Sequence, residues 1–283
     1  MSRLEFKFTR IMKLWLEVWG YSLFFLTLAS LAFPSLKFSL KECAKNLLPI
    51  FANRYWFFTQ YTLLFFSMPI LNKAIAEIDK RVLYIILSAG CLFFSIHPFI
   101  FGNDIFHLSR GYSALWFMYL YLLAGTMSVR GLFARVTVWR STILSVIFCI
   151  LNISAFYFMM HIDSLLGRGF DPHLFRSYNS PFLLCYSVSV FCLFVRLSVF
   201  SDALVHVVSI VAPSVFAVYV IHSNPLFRVM TNWNAFWSAF LSNHGTLICV
   251  LGVIFSSVII FGACIAIDFF RNKVLAYVYC GRR

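Results

Sequence analysis

Apolar stretches about as long as a bilayer is thick recur eight times along the chain, at approximately 14–35, 55–71, 82–101, 112–129, 141–160, 180–200, 211–226 and 245–268. A helix crosses roughly 30 Å of hydrocarbon with about 20 such residues. The pattern predicts an all-α, polytopic transmembrane helix bundle of about eight spans. The second and seventh windows are short and need flanking Trp, Tyr or irregular turns to reach both interfaces. Nothing between the windows is large enough for a soluble domain, and there is no internal repeat or linker. Residues 1–283 therefore read as a single membrane-embedded domain.

Composition agrees with this pattern. Apolar residues make up 61% of the 283 and charged residues only 12%, against about 25% charged in ordinary soluble domains. That excludes a typical soluble enzyme. The formal charge of +13 would suggest nucleic-acid binding in a soluble protein, but in a membrane chain it is read first as topology. Taking the loops alternately, fifteen cations fall on one side, including Arg3, Lys7, Arg10 and Lys13, and eight on the other. The positive-inside rule then places both termini in the cytoplasm, N-in and C-in.

Lys37, Lys41 and Lys45 are the exception on the outer side. Their spacing suits either a short helix lying at the interface or a basic patch for an acidic glycan. The N-terminal apolar stretch is too long for a cleaved signal peptide and contains Glu17, so it reads as a retained span. The cysteines mostly lie in apolar runs without any C-x-x-C pair, which makes them small hydrophobes and not a zinc site. No metal is expected.

Polar groups inside a span are functional candidates by default. Glu17, Arg196 and Asp268 lie near span ends, where Glu17 can sit at the interface beside Lys13 and Asp268 beside Arg271. Gln60 and Tyr61 interrupt the second window, and Asn152 the fifth; interhelical hydrogen bonds and substrate contact both account for such residues. His97, before Pro98, marks a kink or a helix end. The outer loop from His161 to Asn179 is the longest. The most informative cluster is Val218 to Pro225, where Tyr219 and His222 are three apart on one helix face and a neutral imidazole can accept a proton. A buried, satisfied histidine is the competing explanation. No G-x-S-x-G, Walker A, H-E-x-x-H or D-x-D motif occurs, which argues against membrane hydrolases, metalloproteases and ATP-driven transporters.

Four segments together resemble the acyltransferase 3 family, the integral-membrane O-acyltransferases of bacterial surface glycans. They are Tyr55-Trp56-Phe57-Phe58-Thr59-Gln60-Tyr61 continuing to Pro69-Ile70-Leu71-Asn72; Gly111 to Phe117 continuing through Tyr119-Leu120-Tyr121 to Gly125; Tyr178-Asn179-Ser180-Pro181; and Val218 to Pro225. They follow the family's order and span most of the chain. Many members carry an acidic residue five after the Trp; here Tyr61 stands at that position after Trp56.

The resemblance implies transfer of an acyl group, usually acetyl, from cytoplasmic acetyl-CoA or another acyl-CoA to a hydroxyl of a surface polysaccharide or lipid-linked glycan, in the bacterial inner membrane. No cofactor is bound; the acyl-CoA is a donor substrate. Trp56, Tyr61, Asn72 and Tyr219 would line the substrate passage, and Arg3, Lys7, Arg10 and Lys13 would bind the coenzyme A phosphates. Family members usually begin with two further helices bearing an Arg and, some residues on, the His thought to be catalytic. That part has no counterpart here, so the chain is expected to be N-terminally incomplete and by itself weakly active or inactive. The family His is absent and no residue here inherits its role by alignment, so the resemblance leaves the catalytic residue unknown; His222 is a candidate from the Tyr219 and His222 spacing alone. The other class to be weighed is a non-enzymatic membrane protein of polysaccharide export, a transporter or scaffold, although the paired broken helices of a transporter are not evident. A glycan polymerase would carry a larger outer loop.

Overall fold

The computed structural model describes residues 8–33, 38–167, 171–197 and 201–280, and all regular structure among them is helical. Helix α1 is Phe8–Ala32, α2 Leu40–Leu47, α3 Trp56–Glu77, α4 Lys80–Phe101, α5 Ala114–Val129, α6 Val138–Leu166, α7 Pro181–Arg196, α8 Asp202–His222, α9 Pro225–Met230, α10 Trp233–Asn243 and α11 Thr246–Cys280. The starts follow local chemistry. The side chains of Ser39, Asp79, Ser113, Thr137 and Ser201 each accept a hydrogen bond from a first-turn backbone N–H, satisfying donors that a helix end leaves open. Gly167, at φ +57°, closes α6.

Among the described residues, six helical segments are long and apolar enough to cross a membrane: Phe8–Ala32, Lys80–Phe101, Val138–Leu166, His173–Arg196, Asp202–His222 and Thr246–Tyr277. The chain is accordingly an all-α protein built for a lipid bilayer. Ala114–Val129 is apolar but shorter. Trp56–Glu77 is long enough but its apolar character is diluted by Thr59, Gln60, Tyr61, Thr62 and Asn72.

Several boundaries differ from the sequence reading. The seventh window, expected at 211–226, belongs to a helix that begins at Asp202, because Ser201 caps it and accepts from Leu204 N at 3.3 Å. Pro213 is absorbed in a short 3-10 turn, Ala212–Ser214, and does not start the helix. The expected loop from His161 to Asn179 is much shorter, since α6 runs to Leu166 and a 3-10 turn forms over Pro172–Arg176. Between the seventh and eighth windows, where the pattern predicts no element, Pro225–Met230, which takes in the last two residues of the seventh, and Trp233–Asn243 form α9 and α10.

The chain divides into two compact units. One contains Gln60–Ser198, the other Lys7–Thr59 with Val199–Arg283. In the first, α6 packs along α7, and α4 against α5. Its core gathers Leu87, Leu108, Trp116, Tyr119 and Leu184, with the Trp116 and Tyr119 rings stacked at 5.2 Å and the Tyr119 hydroxyl donating to Leu87 O at 3.2 Å. In the second, α1 packs against α2, α9 and the Val215–His222 half of α8, which also lies along α11.

In α4 the helix widens to a π-turn over Leu92–Ile96 just before Pro98. Proline brings no N–H for the carbonyl four residues earlier, which is Phe94. Asn179 Nδ2 supplies the missing donor at 2.9 Å, and Ser95 Oγ donates back to Asn179 O at 2.7 Å.

Candidate functional site

In the unit formed by Lys7–Thr59 and Val199–Arg283, two of the four family-like segments are hydrogen-bonded to each other. Tyr55 and Asn224 are fully buried. The Tyr55 hydroxyl accepts from Asn224 Nδ2 at 2.7 Å and from Ser22 Oγ at 3.3 Å. Asn224 also caps α9, its Oδ1 accepting from Leu226 N at 2.9 Å, while Pro225 takes the first helical position, where a missing N–H costs nothing. Nearby, Phe57 N donates to the Tyr219 hydroxyl at 3.2 Å. Phe57 lies in the first turn of α3, where backbone N–H groups have no partner within the helix.

His222 follows one turn after Tyr219, the ring centroids 6.3 Å apart. Its Nδ1 lies 2.6 Å from Val218 O. A carbonyl only accepts, so this contact puts the proton on Nδ1 and leaves Nε2 as an acceptor. Nε2 faces Ser223 Oγ at 3.4 Å. The imidazole is exposed, so it is not the buried, satisfied histidine weighed as the alternative. Trp56 is half-buried beside Phe57, with centroids 5.9 Å apart.

Gln60–Ser198 holds the other predicted passage residues. Asn72 is exposed and its Oδ1 accepts from the Tyr121 hydroxyl at 2.8 Å, which ties the end of the first family-like segment to the second. Tyr61 is half-buried on the same helix, and eleven residues place it about 16 Å from Asn72 on a similar face. These two therefore mark a line along α3 and not one compact site. The second and third segments also meet. Gly111, at φ +90°, approaches so closely that a Cβ there would lie 2.6 Å from Tyr178 Cβ. Tyr178 N donates to Arg110 O at 3.0 Å, and the Tyr112 and Tyr178 rings are 4.9 Å apart.

Of the four cations assigned to phosphate, Arg10 and Lys13 are exposed on α1, three apart and thus on one face. Arg3 and Lys7 lie outside the described residues, as does Lys37 on the outer basic stretch. Lys45 in that stretch is not free for a ligand. It pairs with Glu42 at 2.5 Å, and Arg54 contacts the other Glu42 oxygen at 3.4 Å. The hydrogen bond from Lys45 is the main cause holding the Glu42 carboxyl below its ordinary range. Asn152 donates to Phe175 O at 2.9 Å, an interelement hydrogen bond.

One cluster is only partly legible in the sequence, which sets Asp268 beside Arg271 but Glu17 beside Lys13. The ion-pair partner of Glu17 is Arg271, at 3.3 Å, which also contacts Asp268 at 2.8 Å. Asp268, fully buried, accepts from the Tyr21 hydroxyl at 2.8 Å and from Asn272 Nδ2 at 3.0 Å. The Arg271 guanidinium lies 5.1 Å from the Tyr21 ring centre, in cation–π range. Spacing was the available signal: Glu17 and Tyr21 are four apart, and Asp268 and Arg271 three apart, so each pair shares a helix face. The chain matches no protein-family model, no curated protein and no solved structure.

Proposed function

We propose that the chain is a membrane O-acyltransferase of the bacterial inner membrane, with about eight spans and both termini in the cytoplasm. It moves an acyl group, usually acetyl, from acyl-CoA to a hydroxyl of a surface polysaccharide or lipid-linked glycan. The observation that carries this reading is the pairing of all four family-like segments. The Tyr55 to Phe58 run bonds the Val218 to Pro225 run, Asn72 bonds Tyr121, and Gly111 packs on Tyr178. Each of these pairings lies within one compact unit and joins segments that were matched to the family by resemblance alone.

In this reading His222 Nε2 takes the proton of the acceptor hydroxyl as its oxygen attacks the thioester carbonyl. The C–O bond forms, the C–S bond breaks, and the proton passes to the departing thiolate, so coenzyme A leaves as the thiol. The Nδ1 contact with Val218 O fixes the tautomer this requires. Arg10 and Lys13, with Arg3 and Lys7, hold the coenzyme A phosphates through charge-assisted hydrogen bonds. Trp56, Tyr61, Asn72 and Tyr219 line the route of the acceptor.

Deleting the gene and measuring ester-linked acetyl on the cell's surface glycan is the test. Acetyl content falls and is restored by the complete gene; unchanged acetylation with an otherwise altered glycan yield favours an export role and sinks the acyltransferase.

A further inference from the structure

Ser223, at the end of α8, places its hydroxyl differently from five serines inside longer helices. Ser30, Ser67, Ser145, Ser189 and Ser257 each donate to the carbonyl four residues back, a common outlet for a serine in a helix. At Ser223 that carbonyl, Tyr219 O, takes the residue's own N–H at 3.1 Å. The hydroxyl turns to His222 Nε2, at 3.4 Å. Among the described residues this is the one hydrogen bond the Ser223 side chain makes.

The imidazole is set for proton transfer. Val218 O holds Nδ1 at 2.6 Å, so Nδ1 carries the proton and Nε2 accepts from Ser223 Oγ. A hydroxyl, a base within hydrogen-bond reach and a third group orienting the base form the arrangement that makes serine a nucleophile, and the first contact is often loose before substrate arrives. The chain beside the pair is held firmly. Asn224 is fully buried, donates to the Tyr55 hydroxyl at 2.7 Å and accepts from Leu226 N at 2.9 Å, so the backbone leaving Ser223 has little freedom. Ser223 is half-buried and His222 exposed, which lets an acyl donor reach both.

We propose that Ser223 is itself a site of acylation: when no glycan hydroxyl stands at His222, Ser223 Oγ takes the acyl group of an activated donor and holds it as an ester. With acetyl-CoA, the Oγ proton passes to Nε2 as Oγ attacks the thioester carbonyl. The C–O bond forms, the C–S bond breaks, and the proton moves from Nε2 to the thiolate, so coenzyme A leaves as the thiol. A glycan hydroxyl arriving later gives its proton to Nε2 and attacks the ester carbonyl, and Ser223 Oγ leaves with the proton returned. The inference rests on the proposed acyl transfer for the identity of donor and final acceptor; the activation of Ser223 by His222 does not.

The test incubates the purified full chain in nanodiscs, without glycan, with acetyl-CoA and separately with p-nitrophenyl acetate, an activated ester that needs no coenzyme A recognition. Peptide mass spectrometry then maps acetyl groups. Hydroxylamine-labile acetyl is expected on Ser223 from both donors, at least about a hundredfold faster than on the exposed Ser238, by the usual size of general-base effects. His222→Ala brings Ser223 down to the Ser238 rate with the thermal midpoint kept, and Ser223→Ala removes the fast ester. Acetylation of Ser223 no faster than that of Ser238, or unchanged in His222→Ala, overturns the inference. An ester on Ser223 from p-nitrophenyl acetate but not from acetyl-CoA keeps the activated serine and places the failure in acetyl-CoA as donor. Acetyl transfer to glycan with no ester on Ser223 from either donor overturns the inference and leaves the acyltransferase standing.

Discussion

Lys7–Thr59 with Val199–Arg283 buries a charged cluster around Asp268, whereas the ion pairs of Gln60–Ser198, Arg110 with Asp171 and Lys73 with Glu77, stay exposed. In the first, Asp268 has a side chain only 1% exposed and is held by Arg271, Tyr21 and Asn272. In the second, Arg110 and Asp171 are 56% and 39% exposed, and the buried members are Ser95, Asn179 and Ser180. The difference teaches where each set can act. A buried ion pair is a poor source of net stability, because desolvation offsets the attraction, but removing one partner is severe, so such a cluster fixes how α1 and α11 meet. An exposed pair contributes little to folding and keeps lone pairs and donors available for a ligand.

The largest expected effect is at Asp268. Asp268→Ala leaves Arg271 and the Tyr21 hydroxyl without their buried acceptor and lowers unfolding free energy by about 3–5 kcal/mol. Arg110→Ala costs no more than about 1 kcal/mol. Denaturant melts in detergent compare the two; equal losses would break the contrast between buried and exposed charge.

An intermediate effect is expected at Gly111. Alanine there must adopt φ +90° and place a Cβ 2.6 Å from Tyr178 Cβ and 2.9 Å from Asn179 N. The expected loss is about 1–3 kcal/mol, with Tyr178 displaced from the 109–111 turn. A wild-type melt for this variant would show that the close approach is not needed.

The smallest effect belongs to Glu42, whose carboxyl is held below its ordinary range mainly by the hydrogen bond from Lys45. A lowered folded-state pKa means its contribution is complete above the ordinary carboxylate range and is lost as pH falls through the lowered value. Amide exchange across Leu40–Leu47 should therefore quicken modestly on acidification, and Glu42→Gln should flatten that response. The carboxylate is 39% exposed, so solvent screening keeps the effect small.

Much of the helical framework was legible from apolar run length alone, because lipid demands about 20 apolar residues whatever the packing. Each of the eight windows has a helix in it. The misplaced seventh window shows the limit. Ser201 and Asp202 form an ordinary helix start, but Pro213 lies where a break is expected and the turn simply tightens around it. The Tyr219 and His222 pair was readable from helical spacing. The meeting of Ser95, Arg110, Asp171 and Asn179 was not, because these residues come from separate stretches of sequence, joined by the Asn179 bond to Phe94 O, the Arg110 and Asp171 pair and the Tyr178 N bond to Arg110 O. The Glu17 and Asp268 cluster was hidden for the same reason: 251 positions separate two residues that share Arg271.

The central claim is acyl transfer with His222 as the base, and transfer of radiolabelled acetyl from acetyl-CoA to glycan in proteoliposomes tests it most directly. The account predicts base-labile label on the glycan from the complete gene product and its loss, at least a hundredfold by the usual size of general-base effects, in a folded His222→Ala protein. Label appearing at the same rate with alanine at that position, or no label on any glycan from the complete gene product, would contradict it.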